Sequence, residues 1–292
     1  MVADAAGPEW LDRLEYPFRS CWLDLPAGRM HYVDEGQGRP LVFVHGTPDW
    51  SFSWRHLIKA LSPSYRCIAA DSLGFGLSDK PREFSYEPAA QAKNVRALIE
   101  HLKLRDVTLV LHDFGGPFGL SYAIERPDNV RSLVLMNTWM WSLQGDPHFE
   151  RFGRLFGGPL GRFLYLGLNF PVRVIMKQAI SDQSRFPRRI QAQYLRPFAS
   201  RADRVATHAY ARALLDAGLW YDGLWRRREK IRDIPALILW GMKDEAFRAQ
   251  ELDRLQTMFA HKRTACFHDA GHFPQEERPE RAVSLVQEFL AG

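Results

Sequence analysis

The run Val107-Thr108-Leu109-Val110-Leu111 is almost entirely apolar, and it breaks at His112-Asp113 into Phe114-Gly115-Gly116-Pro117. A short, β-branched run bounded by glycines reads as a strand buried on both faces. The glycines behind it let the backbone turn sharply. A strand that enters a tight turn and then a helix forms an elbow, which lifts the side chain at the turn above the sheet. In this chain that side chain is the carboxylate of Asp113.

Similar runs recur on either side. Leu41–Val44 leads into His45-Gly46, Cys67–Ala70 into Asp71 and a glycine-rich loop, and Leu133–Met136 into Asn137. Ala236–Trp240 leads into Gly241, and Thr264–His268 precedes the last loop. Helical patterns lie between them. Gln91–Leu102 carries Val95, Leu98, Ile99 and Leu102 on one face, and Glu280–Leu290 carries Val283, Val286, Phe289 and Leu290 after a well-placed Pro279. The alternation predicts an α/β fold, with a mostly parallel central sheet flanked by helices and right-handed crossovers. Ligands of such sheets bind at the strand ends. The rhythm stops from 139 to 213, where Pro147, Pro159, Pro171, Pro187 and Pro197 divide a stretch rich in Arg, Phe and Tyr. It predicts a helical cap inserted after the sixth strand, with 1–138 and 214–292 as the core and 139–213 as the cap. A separate domain is the other reading, but a position between two core strands favours a cap.

Composition narrows the function classes. The 292 residues are 46% apolar and 25% charged, the balance of a folded globular protein. Cys21, Cys67 and Cys266 are widely spaced, with no CxxC, and read as free thiols in a reducing compartment. Met1–Trp10 shows no basic cluster followed by an apolar run, and no apolar run approaches the roughly 20 residues that span a bilayer. A cytoplasmic protein with no membrane partner is expected. The net charge is +5, but the arginines are scattered, and the densest groups (Arg185, Arg188, Arg189; Arg226–Arg228) sit in no nucleic-acid-binding motif. They read as solvated faces, so no nucleic-acid partner is expected. Gly74-Phe75-Gly76-Leu77-Ser78 lacks the third glycine of a dinucleotide fingerprint, and Gly271 breaks any helix that would pair His268 with His272 as metal ligands. Neither a cofactor nor a metal is expected.

Asp113 alone also fits a helix N-cap. Its surroundings favour chemistry. Serine hydrolases carry Ser at this elbow in G-x-S-x-G, a motif this chain lacks; Gly119-Leu120-Ser121-Tyr122-Ala123 falls inside the following helix. A carboxylate needs no base to attack a tetrahedral carbon, and the resulting ester needs one to be hydrolysed. His272, in Asp269-Ala270-Gly271-His272, follows the last strand and can supply that base. Asp244, after the penultimate strand, can hold the imidazole in the useful tautomer. The order nucleophile, acid, histidine is that of α/β-hydrolases. The backbone N–H groups of Thr47 and Phe114 can converge on an oxyanion.

Together these motifs resemble the haloalkane dehalogenase family, over nearly the whole chain from Tyr16-Pro17-Phe18 to the last helix. The matching stretches are His31–Gly36, His45–Pro48, Leu73–Pro81, His112–Gly116, Asn137–Trp139, Gly241–Asp244 and Asp269–His272. The position of Asp244 is similar to that of the acid in the third subfamily. The resemblance implies an α/β-hydrolase fold, Asp113 as nucleophile, His272 as base and Asp244 as acid, acting on a small apolar organic substrate and water. It also implies a halide held between an Asn and a Trp, and here those positions are Thr47 and Phe114. Phenylalanine has no donor. Trp139, Trp141 or a lid aromatic can take over the leaving group, although packing under the lid also accounts for both tryptophans. Hydrolytic dehalogenation is the first expectation. The same triad could open an epoxide, with Tyr165, Tyr194 or Tyr210 as donors to the oxygen, or process a β-lactone. A catalytically silent binding protein on this fold is the alternative from another class.

Overall fold

The computed structural model describes residues 7–292. Eight strands form one sheet: β1 (Ser20–Leu25), β2 (Gly28–Glu35), β3 (Pro40–Val44), β4 (Arg66–Ala70), β5 (Val107–Asp113), β6 (Val130–Thr138), β7 (Ala236–Gly241) and β8 (Lys262–Phe267). Their order across the sheet is β1-β2-β4-β3-β5-β6-β7-β8. β1 and β2 pair antiparallel, as do β2 and β4, and every later pairing is parallel. Each apolar run expected as a strand lies in one, except that His268 of the run Thr264–His268 falls just past the end of β8. β5 and β7 are buried along their whole length, as strands covered by helices on both faces must be.

β1 and β2 have no counterpart in the expectations. Their sequences, Ser-Cys-Trp-Leu-Asp-Leu and Gly-Arg-Met-His-Tyr-Val-Asp-Glu, mix charged and apolar residues: Asp24 and Arg29 are exposed at the turn, while Met30–Val33 of β2 are buried on both faces. His31 is wholly buried there, bonded by Nδ1 to Asp71 Oδ2 (2.9 Å) and by Nε2 to Ser20 Oγ (3.0 Å).

The helix expected at 91–102 spans Pro88–His101, with Pro88 in its first turn and Val95, Leu98 and Ile99 buried. The last helix spans Pro279–Ala291 and buries Ala282, Val286 and Leu290, a rotation that leaves Val283 and Phe289 half-buried. Between β6 and β7 the described residues form helices joined by loops, and no strand. Pro147, Pro159, Pro171 and Pro197 each sit in the first turn of a helical piece, where a missing N–H costs nothing. The expected 213/214 boundary falls inside the helix Val205–Asp216. Among the described residues no helix is long and apolar enough to cross a membrane. The three cysteines are free thiols.

The strand order reverses between β3 and β5, since β3 is followed by its neighbour β4 on one side and β5 by β6 on the other. Crevices at such reversals bind ligands. Residues 45–47 and Asp113 flank this one.

Candidate active site

Asp113 ends β5 with φ of +51°, a left-handed conformation that costs a non-glycine residue about 1–3 kcal/mol. Neighbours hold it there. The β5–β6 register shifts between His112 and Asp113, and Thr138 Oγ1 donates to the Asp113 carbonyl at 2.6 Å. A Cβ on Gly46 would collide with the Asp113 carboxylate, and one on Gly115 with the Val44 carbonyl. Glycine at these two positions lets β3 and the elbow approach so closely. The Thr47 N–H can then donate to Asp113 Oδ1 (2.8 Å), and the Phe114 N–H lies close enough to help lower the pKa of the same carboxyl.

His272 lies on the loop after β8. Its Nδ1 is 2.7 Å from Asp244 Oδ2 and its Nε2 is 3.6 Å from Asp113 Oδ2. Asp244 is fixed in turn: Asn137 Nδ2 donates to Oδ2 (2.8 Å), and the Ala246 N–H to Oδ1 (2.7 Å). Asn137 also spans β6 and β7 through its side-chain oxygen, which accepts the Gly241 N–H at 2.8 Å. The His272 backbone is tied down at both ends. Its N–H donates to Ala179 O (2.9 Å) in the helical segment, and its carbonyl accepts from His112 Nε2 (2.8 Å). Glu277 reinforces the first tie, accepting the Gly271 N–H (2.7 Å) and the Asp182 N–H (2.8 Å).

Asp113, Asp244 and His272 are each only 6% exposed, so their charges act on one another with little screening by water. Burial would push the His272 pKa down, but the charges of Asp244 and Asp113 and the bond to Asp244 raise it to about 10. Burial would push the Asp113 carboxyl up, and the His272 imidazole 3.6 Å away outweighs that, holding it below the usual range.

Below the histidine lies a buried ion pair. Arg55 Nη1 donates to both Glu276 oxygens (2.7 and 2.8 Å), and the Tyr194 hydroxyl donates to Glu276 Oε1 (2.9 Å). Glu276 stays above its ordinary pKa because burial outweighs Arg55.

Aromatic rings wall the site. Phe114 lies 4.9 Å from Trp139 and 4.7 Å from Tyr210 between ring centres. Trp139 lies 5.6 Å from Tyr221 and stacks on Phe247 at 4.9 Å, and Phe247 stacks on His272 at 5.8 Å. Trp141 is elsewhere, packed on Trp225 (5.4 Å) and under the Arg254 guanidinium (4.7 Å). Of the tyrosines named from the sequence, Tyr165 sits in a separate cluster with Phe156, Tyr194 is engaged by Glu276, and Tyr210 faces Phe114. Tyr221, Phe247 and the role of Asn137 escaped the sequence reading. Asn137 at a strand end was the one visible signal; nothing in the sequence marked the other two.

The alpha/beta hydrolase fold model matches residues 39–279. The chain belongs to the alpha/beta hydrolase family. Within the alpha/beta hydrolases it is 35% identical over 277 residues to haloalkane dehalogenase 2 of Mycobacterium tuberculosis, covering 94% of this chain and 96% of the relative. It is 30% identical over 283 residues to a cis-3-alkyl-4-alkyloxetan-2-one decarboxylase of Shewanella oneidensis, covering 94% and 89%. The crystal structure of the haloalkane dehalogenase DatA from Agrobacterium tumefaciens superposes with a TM-score of 0.83 at 27% identity, covering 93% of this chain and 96% of that one. This alpha/beta hydrolase is a haloalkane dehalogenase-like hydrolase.

Proposed function

We propose that the chain cleaves carbon–halogen bonds through an ester on Asp113, with His272 as base and Asp244 as the acid that orients it. The observation that carries this reading is the division of labour at Asp113: Oδ1 accepts the Thr47 N–H, while Oδ2 lies 3.6 Å from His272 Nε2. Oδ2 attacks the carbon, and halide leaves with the bonding electron pair. The ester carbonyl, formed by Oδ1, stays against the Thr47 and Phe114 N–H groups. His272 Nε2 takes a proton from water, whose oxygen adds to the Asp113 carbonyl carbon, and these N–H groups stabilise the oxyanion. Collapse releases the alcohol and restores the carboxylate, and the proton on His272 passes to solvent.

The charges time the two steps. Asp113 contributes to the raised pKa of His272. Esterification removes that negative charge, so the imidazole gives up its proton more readily once there is an ester to hydrolyse.

The aromatic walls suit a small apolar organic substrate. Residues 139–213 serve as a cap over the core formed by 1–138 and 214–292. The free thiols fit a reducing, cytoplasmic location. The decarboxylase relative supports a second reading, in which the same carboxylate processes a β-lactone.

The test is a His272→Phe variant incubated with 1-bromohexane. Intact mass should rise by one hexyl group on Asp113, and the parent should release bromide and 1-hexanol. No adduct and no bromide would overturn the reading. Carbon dioxide from an oxetan-2-one with no halide release would favour the second.

A further inference from the structure

Several buried polar atoms have no hydrogen-bond partner among the described residues, and three of them belong to the ring cluster around Asp113: Trp139 Nε1, the Tyr210 hydroxyl and the Tyr221 hydroxyl. All three side chains are wholly buried. Buried donors are nearly always satisfied, and an exception calls for an explanation. These three come from separate elements. Trp139 follows β6, Tyr210 lies on the helix Val205–Asp216, and Tyr221 on the helix Gly218–Arg226. Their meeting in one ring cluster beside the residue that follows Asp113 is therefore a tertiary arrangement. Burial raises both tyrosine pKa values, and the Asp113 charge adds to the rise, so the hydroxyls lie near that carboxylate and keep their protons. Neither hydroxyl bonds to it. Gln91 stands beside Tyr210 and gives its amide N–H to the Leu73 carbonyl (2.7 Å), which leaves Trp139 and Tyr221 as the principal pair.

We propose that Trp139, Tyr221 and Tyr210 form the site that receives the leaving atom of the substrate, doing the work for which the Phe114 side chain has no donor. An indole N–H can only donate. Unpartnered donors in the ring cluster next to a nucleophilic carboxylate fit a group that arrives neutral and departs as an anion: a halide, or the oxygen of an opened strained ring. As Asp113 Oδ2 bonds to carbon, the carbon–halogen bond breaks, and the halide keeps the electron pair while the three donors keep their hydrogens. A departing alkoxide would instead take the Tyr221 proton, which His272 returns after water has been split.

This rests on the ester chemistry proposed above, and the experiment separates the two. Ester formation on Asp113 is followed by intact mass in single turnovers of the His272→Phe protein, with 1-chlorohexane, 1-bromohexane, 1-iodohexane and styrene oxide. Tyr221→Phe and Trp139→Phe, each added to that background, should slow alkylation about 10- to 100-fold, the scale of one lost donor at a developing anion. The loss should be largest for chloride, the poorest leaving halide. Added sodium bromide should inhibit alkylation of the His272→Phe protein and lose most of that effect in the Tyr221→Phe double variant. Larger losses with styrene oxide than with the halides would assign the site to oxygen. Unchanged rates, leaving-group order and bromide inhibition in the variants would overturn the leaving-group site while the ester mechanism stands. No adduct in the His272→Phe background with any electrophile would overturn the ester mechanism itself. Removing the Tyr221 hydroxyl leaves its ring packing in place, so that variant decides the matter even if Trp139→Phe does not fold.

Discussion

Asn137 and Asp244 are joined by a 2.8 Å hydrogen bond from the end of one strand to the loop that follows the next. The same asparagine accepts the Gly241 N–H, so a single side chain ties the ends of β6 and β7 and fixes the carboxylate that orients His272. An Asn137→Ala variant leaves the buried Gly241 N–H without its acceptor and removes a donor from Asp244. Urea denaturation should show a loss of about 1–3 kcal/mol. The hydrolytic step should slow more than ester formation, because in the proposed mechanism only hydrolysis uses the imidazole as a base, and rapid-quench kinetics would separate them. Equal slowing of both steps would contradict a role through Asp244.

Stability should depend on pH through His272 and Asp113. The His272 pKa rises from 6.5 unfolded to about 10 folded. Its protonated form favours folding, so this contribution is complete below pH 6.5, declines between 6.5 and 10, and is gone above 10. Asp113 works in the opposite direction. Its pKa is lowered from 3.8, so its contribution is present above that value and lost as the pH falls through the folded pKa. The melting temperature should decline through the alkaline window in the parent and much less in Asp244→Asn, measured at constant ionic strength.

Gly46→Ala places a methyl group on the Asp113 carboxylate. The β3 loop or the acid must shift, and a displacement of about 1 Å in a reacting group is enough to cost about 100-fold in rate. Halide release should fall by at least that much while circular dichroism shows a folded protein. Near-parental activity would mean that the carboxylate has another productive position.

Arg55→Met removes the partner of a buried carboxylate. Glu276 and Arg55 are each only 2% exposed. Breaking such a pair from one side costs about 3–5 kcal/mol, because the surviving charge has nowhere to go. The double variant Arg55→Met/Glu276→Gln should recover most of that loss, read from denaturation midpoints.

The central strands and the elbow were legible because a strand covered on both faces must be continuously apolar, as Val107–Leu111 is, and because a close approach of backbones demands glycine at 46 and 115. Asp113, Asp244 and His272 were readable from their places after β5, β7 and β8, and the structure brings the three together. β1 and β2 were not readable, since Asp24, Arg29 and Asp34 interrupt their apolar runs and the buried His31 reads as polar. The walls of the site were hidden for another reason. Tyr221 and Phe247 acquire their neighbours through tertiary packing of segments far apart in sequence, which carries no local periodicity.

The bond from the His272 N–H to Ala179 O, with Glu277 bridging Gly271 and Asp182, stitches the imidazole loop to the helical segment above it. Displacing residues 179–182 would break the tie on the N–H side of His272 and leave the imidazole held by its carbonyl's bond to His112 and its Nδ1 contact with Asp244. The position of that ring is thus set jointly by the sheet and by the segment inserted between β6 and β7.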